Sequence, residues 1–308
     1  VLAVLLKTLP FFAVIGLGYG AARMRFFSEA ASAALTRFVF YFALSAMLFR
    51  FSANLSIAEI FDPQLALAYL TGTAAVYAIA TAAGLWRRQD VATTAIEAQC
   101  AAIGNTGFLG VPMLAVLLGQ AAVAPIILVL SIDLIVFSSL LVILVTGSRD
   151  GRLSPGTLRT VALGLVKNPM IVSVLAGLAV SASGLTLPAV ANDFLTLLGN
   201  AATPGALFAI GASLATKSAE RLEVAGWLSF CKLVLHPAFV ALAAFWLIPV
   251  SGFQAAVVVS AASLPVAGNI FILAQHYGIA PQRVSASILI STAASILTVS
   301  AVIAWVAP

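Results

Sequence analysis

The chain reads as long apolar stretches separated by short joints rich in polar residues or helix breakers. The stretches cover residues 2–22, 35–53, 64–86, 92–118, 121–147, 159–182, 191–215, 224–249, 254–278 and 284–306. At a rise of about 1.5 Å per residue, each can cross a hydrocarbon layer of roughly 30 Å as a helix. The runs are continuous rather than alternating, which argues against a transmembrane barrel. Lipid also leaves the edges of an open sheet unsatisfied. The pattern therefore predicts an all-α membrane protein of ten transmembrane helices. The longest polar joint lies at 147–160, with Arg149, Asp150, Arg152 and Arg159. It divides the chain into spans 1–5 (residues 1–148), a cytoplasmic connector (149–160) and spans 6–10 (161–308).

Composition agrees. Of the 308 residues, 62% are hydrophobic and only 8% charged, with a mean hydropathy of +1.14. Soluble domains carry roughly 25% charged residues. The lipid bilayer is thus the expected partner. A net charge of +5 does not mark a nucleic-acid binder, because the basic residues lie in the joints. Their placement instead sets orientation. Arg23, Arg25, Arg37, Arg87, Arg88, Arg149, Arg152, Arg159, Lys167, Lys217, Arg221 and Arg283 fall on one side; Lys7 and Arg50 fall on the other. Lys and Arg accumulate on the cytoplasmic side, so both termini are expected outside a plasma (bacterial inner) membrane. No cleavable signal is expected, since Arg23 and Arg25 follow the first apolar run instead of preceding it. Cys100 and Cys231 lie inside apolar stretches and read as packing residues. No metal spacing is present.

The two halves resemble each other at an offset of 159 residues. Pro10 falls on Pro169, Gly18 on Gly177, Gly119 on Gly278, and Ala43–Phe49 on Ala202–Phe208. With five spans per repeat, the second must insert upside down relative to the first. Inverted repeats of this kind recur in transporters.

Spans 4 and 9 carry matching breaker clusters. Span 4 holds Gly104, Asn105, Thr106, Gly107, Gly110 and Pro112; span 9 holds Pro265, Gly268 and Asn269. Proline removes an amide donor and clashes with the preceding turn. Glycine costs about 1 kcal/mol relative to alanine within a helix. Gly and Pro also serve ordinary packing in membrane helices, but two clusters with Asn at corresponding places predict two unwound helices. A helix that restarts presents free N–H groups and partial positive charge; one that stops presents carbonyls and partial negative charge. Broken helices 4 and 9, if they cross, therefore suit an organic anion near the midplane. The amides of Asn105 and Asn269 add donors and acceptors.

Ionisable residues within spans are costly and mark function or pairing. Asp133 lies near the centre of span 5 and is a candidate for proton or cation coupling, or for a structural partner. Lys232, deep in span 8, is placed to neutralise Asp133 or attract an anion. His236 precedes Pro237 and is a proton carrier, or bonds a carbonyl freed by the proline. Glu97, in span 4, either supports the site or reaches water. Arg50 reads as an interfacial anchor.

Several of these stretches resemble the auxin efflux carrier family, and the ordered set spans nearly the whole chain. They are Arg37–Leu44 with Leu48-Phe49-Arg50, Gly104–Pro112, Pro204 with Ala206–Leu214, Lys232–Pro237, and Leu264–Asn269. The resemblance implies a fold like that of the bile acid:sodium symporters, with scaffold and transport domains each drawn from both repeats. It implies elevator-like movement, homodimers through the scaffold, and a carboxylate held where helices 4 and 9 cross. Ser45 stands where many members have proline in the second helix, while its repeat mate Pro204 keeps it; both are carried as pocket candidates. The long hydrophilic loop of many plant members is absent.

These readings converge on a secondary transporter of a small carboxylate, in the exporting direction, without a cofactor. H+, Na+ or the membrane potential alone remains open as its driving force. An anion channel or a receptor is the alternative. An intramembrane enzyme is disfavoured, because no acid pair, metal triad or nucleophile–base pair is found.

Overall fold

The computed structural model describes residues 2–150, 155–215 and 222–306. Arg152, Lys217 and Arg221, the side chain of Arg149 and the middle of the connector lie outside these residues. Among those described, the protein is helical, with no strand. Seven helices are long and apolar enough to cross a membrane: α1 (Leu2–Arg23), α2 (Glu29–Ala53), α3 (Pro63–Trp86), α6 (Gln120–Ser148), α9 (Ala189–Leu214), α10 (Leu222–Leu247) and α13 (Pro281–Val306). The other three apolar stretches are each divided. They hold α4 (Val91–Ala102) and α5 (Thr106–Leu118), α7 (Pro155–Lys167) and α8 (Pro169–Ala182), and α11 (Gly252–Ala262) and α12 (Asn269–Tyr277).

Local chemistry sets most of the boundaries. The carboxylate of Asp62 accepts the amides of Gln64 and Leu65, with Pro63 in the first turn of α3. Asp90 accepts the Thr93 amide and hydroxyl at the start of α4. Those two bonds hold the Asp90 carboxyl below the usual carboxylate range. Both are side-chain caps on donors that a helix cannot satisfy itself. The stretch at 159–182 was expected to be one span, but its two parts meet at 69°. The cause is Asn168-Pro169: Asn168 Oδ1 accepts the Met170 amide at 3.0 Å, and Pro169 opens the new helix. An Asn-Pro pair is a restart signal in sequence.

Close helix packing relies on glycine. α1 packs extensively on α9, and α8 on α2. A Cβ on Gly18 would lie 2.1 Å from the Phe208 carbonyl oxygen, and one on Gly177 would lie 2.5 Å from that of Phe49. These contacts are each other's image under the 159-residue offset. Gly119 and Gly278, another pair at that offset, both adopt positive φ, 86° and 64°. That conformation favours glycine. In both cases it ends the second helix of a divided stretch. A second group of contacts joins α3 to α4 and α10, α11 to α6 and α10, and α13 to α10.

Candidate functional site

Between Ala102 and Thr106 the chain is extended, and it pairs antiparallel with the gap between α11 and α12. The bridge is Gly104 opposite Val266. The Asn105 amide donates to the Pro265 carbonyl at 2.8 Å, and the Ala267 amide donates to the Ile103 carbonyl at 3.2 Å. Ser291, on α13, accepts the Val266 amide at 3.1 Å. Two interrupted stretches thus satisfy part of each other's freed backbone, as buried polar groups require. The Asn105 carbonyl accepts the amides of Leu109 and Gly110 and starts α5 through a widened π-turn. Both α5 and α12 begin at this crossing.

The predicted residues distribute unevenly around it. Gly104, Asn105, Thr106, Gly107 and Pro112 lie on or just beyond the first break and are buried; Pro265, Gly268 and Asn269 lie on the second. Asn269 Oδ1 is buried with no hydrogen-bond partner, and a Cβ on Gly268 would meet nothing within 4 Å. Ser45 donates to the Phe40 carbonyl five residues back, filling the π-turn Val39–Ala43 in its own helix. Pro204 is exposed. Among the described residues no side-chain hydrogen bond links either to the crossing.

The ionisable groups assemble beneath it. Asp133, only 2% exposed, accepts the Tyr69 hydroxyl at 2.8 Å and the Thr106 hydroxyl at 3.3 Å. Thr106 therefore ties the carboxylate directly to α5. Lys232, fully buried, donates to His236 Nδ1 at 2.8 Å and to the carbonyl of Ala262, the last residue of α11. A Cβ on Gly104 would lie 3.3 Å from Lys232 Nζ, so glycine there lets the ammonium reach the break. An ammonium has no acceptor. Opposite an ammonium, His236 Nδ1 would accept, leaving an Nε2–H for the Thr73 hydroxyl 3.0 Å away. His236 does not bond a proline-freed carbonyl, and Lys232 does not contact Asp133 as an ion pair. The Tyr69 and His236 rings, edge to face with centroids 5.8 Å apart, join the two halves of the cluster.

Thr106, Asp133 and Lys232 each lie in a π-turn: Thr106–Gly110, Asp133–Phe137 and Cys231–Leu235. Such turns shift side-chain direction within a helix and gather at functional sites. In the second, the Ser138 hydroxyl donates to the Asp133 carbonyl. Tyr69 and Thr73 were not singled out in sequence. Their spacing of four puts them on one face of α3, but that face acquires meaning only opposite Asp133 and His236.

Glu97 does not reach water. It is 1% exposed and held between Arg87 and Arg283, with Arg283 also donating to Gln89 at 3.0 Å. This clamp ties α4 to the end of α3 and the start of α13. Arg50 donates to Thr196 at 3.0 Å, linking α2 to α9. Cys100 and Cys231 are buried.

Comparison with known proteins adds to the geometry. Residues 3–303 match the family model described as membrane transport protein (Mem_trans). The chain is also similar to a protein of Rhizobium meliloti (strain 1021) that carries the name "Putative malonate transporter". The two are 32% identical over 298 residues, 95% of this chain and 92% of the other.

Proposed function

The chain belongs to the family of membrane transport proteins, the auxin efflux carrier group, and from that premise we propose a secondary carrier of a small carboxylate that binds where α4–α5 meets α11–α12. It is a multi-pass membrane protein and a transporter rather than an enzyme. The observation that carries the site assignment is the antiparallel bridge of Gly104 and Val266, with the buried, unpartnered Asn269 Oδ1 beside it. Two restarting helices aim N–H groups and partial positive charge at one place, and the ammonium of Lys232 lies against the same break. The relative's name supports a dicarboxylate such as malonate as the first substrate to test.

Counting each divided stretch as one span yields ten, with two five-span repeats at 1–148 and 161–308 and both termini outside. The reciprocal contacts of Gly18 with Phe208 and of Gly177 with Phe49 support this reading. So do the matching positive-φ glycines 119 and 278. We assign α1, α2, α8 and α9 to the scaffold and the remaining spans to a transport domain that moves against it. Homodimerisation runs through the scaffold. An anion leaving a negative-inside cell gains about 2.3 kcal/mol per charge per 100 mV, so export needs no coupling ion.

The test is uptake of labelled malonate into proteoliposomes. Asn105→Ala and Asn269→Ala are each expected to weaken saturable flux about tenfold or more, the equivalent of about 1.4 kcal/mol. Normal flux and affinity in both variants would remove the site from the crossing. Flux that never saturates would indicate a channel.

A second prediction concerns Asp133. Its carboxylate touches the site through Thr106 and is the charge-changing group nearest α5. Asp133→Asn keeps the shape and removes the titration. We expect it to flatten the pH dependence of malonate flux. An unchanged pH and sodium profile would make Asp133 a structural acceptor for Tyr69.

A further inference from the structure

Gly107 is the second residue of α5, and the space where its side chain would stand is occupied from across the molecule. A Cβ built there would lie 2.3 Å from Met170 Cε and 3.5 Å from Leu130 Cδ1. Met170 is held firmly. It follows the 69° bend at Asn168-Pro169, and Asn168 Oδ1 accepts its amide. Its side chain is buried, 4% exposed. Next to it lies a cavity of about 30 Å³, whose lining includes Leu130, Leu134, Ile171 and Val174. The one hydroxyl in that lining, Ser131, donates to the Ile127 carbonyl. The wall is therefore apolar in effect. A space of this size holds a water or two.

We propose that Met170 limits the size of the acid this carrier accepts: its thioether methyl closes the apolar side of the Thr106–Gly107 end and excludes dicarboxylates branched at the central carbon. The proposal rests on the carboxylate-carrier reading above. A carboxylate held by the first-turn amides of α5 sets its carbon atoms at the edge of the space beside Gly107, which Met170 Cε fills. The group facing them is Met170 Cε. Malonate, with only hydrogens on its central carbon, clears that methyl. An alkyl branch competes for the same volume. Truncating Met170 joins its volume to the adjoining cavity and supplies an apolar slot without disturbing the polar groups of the crossing.

The experiment measures KM in proteoliposomes for malonate, methylmalonate and ethylmalonate. Wild type is expected to favour malonate strongly, since a hydrophobic pocket discriminates about 10–200-fold per methylene. In Met170→Ala the ratio of ethylmalonate KM to malonate KM should fall about tenfold or more, while Met170→Leu keeps the wild-type order. Met170→Val carries the same test if the alanine variant does not fold. The proposal is overturned if wild type accepts ethylmalonate as well as malonate, or if the ratio is unchanged in a folded small-residue variant. It is also overturned if that variant loses malonate transport without gaining ethylmalonate. Should wild type carry none of the three acids, the malonate assignment on which this proposal rests fails, and that is visible before any variant is made.

Discussion

Lys232→Met is expected to reduce malonate flux about a hundredfold or more, with a folded protein still recovered. Methionine keeps the length of the side chain and removes the ammonium. Two buried acceptors then lose their donor: the Ala262 carbonyl at the end of α11 and His236 Nδ1. Each orphaned buried group costs about 1–3 kcal/mol. The positive charge beside Gly104 disappears at the same time, along with its attraction for an anion. Lys232→Arg should not restore flux. A planar, forked guanidinium has to fit against the Gly104 backbone, where the lysine side chain is already so close that an added Cβ would lie 3.2 Å from it. Flux and thermal midpoint are the measurements. Wild-type flux in Lys232→Met would show that the ammonium serves neither the crossing nor the substrate.

The second large effect is on assembly of the helices. Gly211→Leu and Gly18→Leu are expected to prevent recovery of a monodisperse protein in mild detergent. A Cβ on Gly211 would lie 1.8 Å from the Ile15 carbonyl oxygen, and one on Gly18 would lie 2.1 Å from that of Phe208. Both obstacles are backbone, so no side-chain rotation relieves them; α1 and α9 must separate. The cost lies at or beyond the roughly 3 kcal/mol upper end of ordinary overpacking. The control is on the same helix. Gly16 and Gly20 have nothing within 4 Å of a Cβ, so Gly16→Leu and Gly20→Leu should elute like the wild type. Equal behaviour of Gly16→Leu and Gly18→Leu on size exclusion would contradict this packing.

Helix identity was legible early because it depends on local quantities. Apolar run length is set by bilayer thickness, and a cap or a proline acts within one turn. The predicted 64–86 became Pro63–Trp86, and the predicted 2–22 became Leu2–Arg23. The Gly/Pro/Asn clusters lie at the gaps between α4 and α5 and between α11 and α12. The bend at Asn168-Pro169 was available in the same terms, but the proline was read only as a repeat match. Glu97 was legible as a buried-span acid; that it sits between Arg87 and Arg283 was not, because Arg283 is 186 residues away.

By itself, then, the sequence determined what each segment is: a helix, a break, a restart, and a charge too deep to be accidental. Apolar length, missing amide donors and the cost of burying an ion are properties of a segment and its solvent. Only the tertiary structure decided which segments complete one another. It placed Thr106 on Asp133, Lys232 on the end of α11 rather than on Asp133, Tyr69 and Thr73 opposite them, and Met170 against Gly107. Those choices rest on close approach. A hydrogen bond or a methyl contact acts over a few ångströms, and no local pattern states which distant residue will fill that distance.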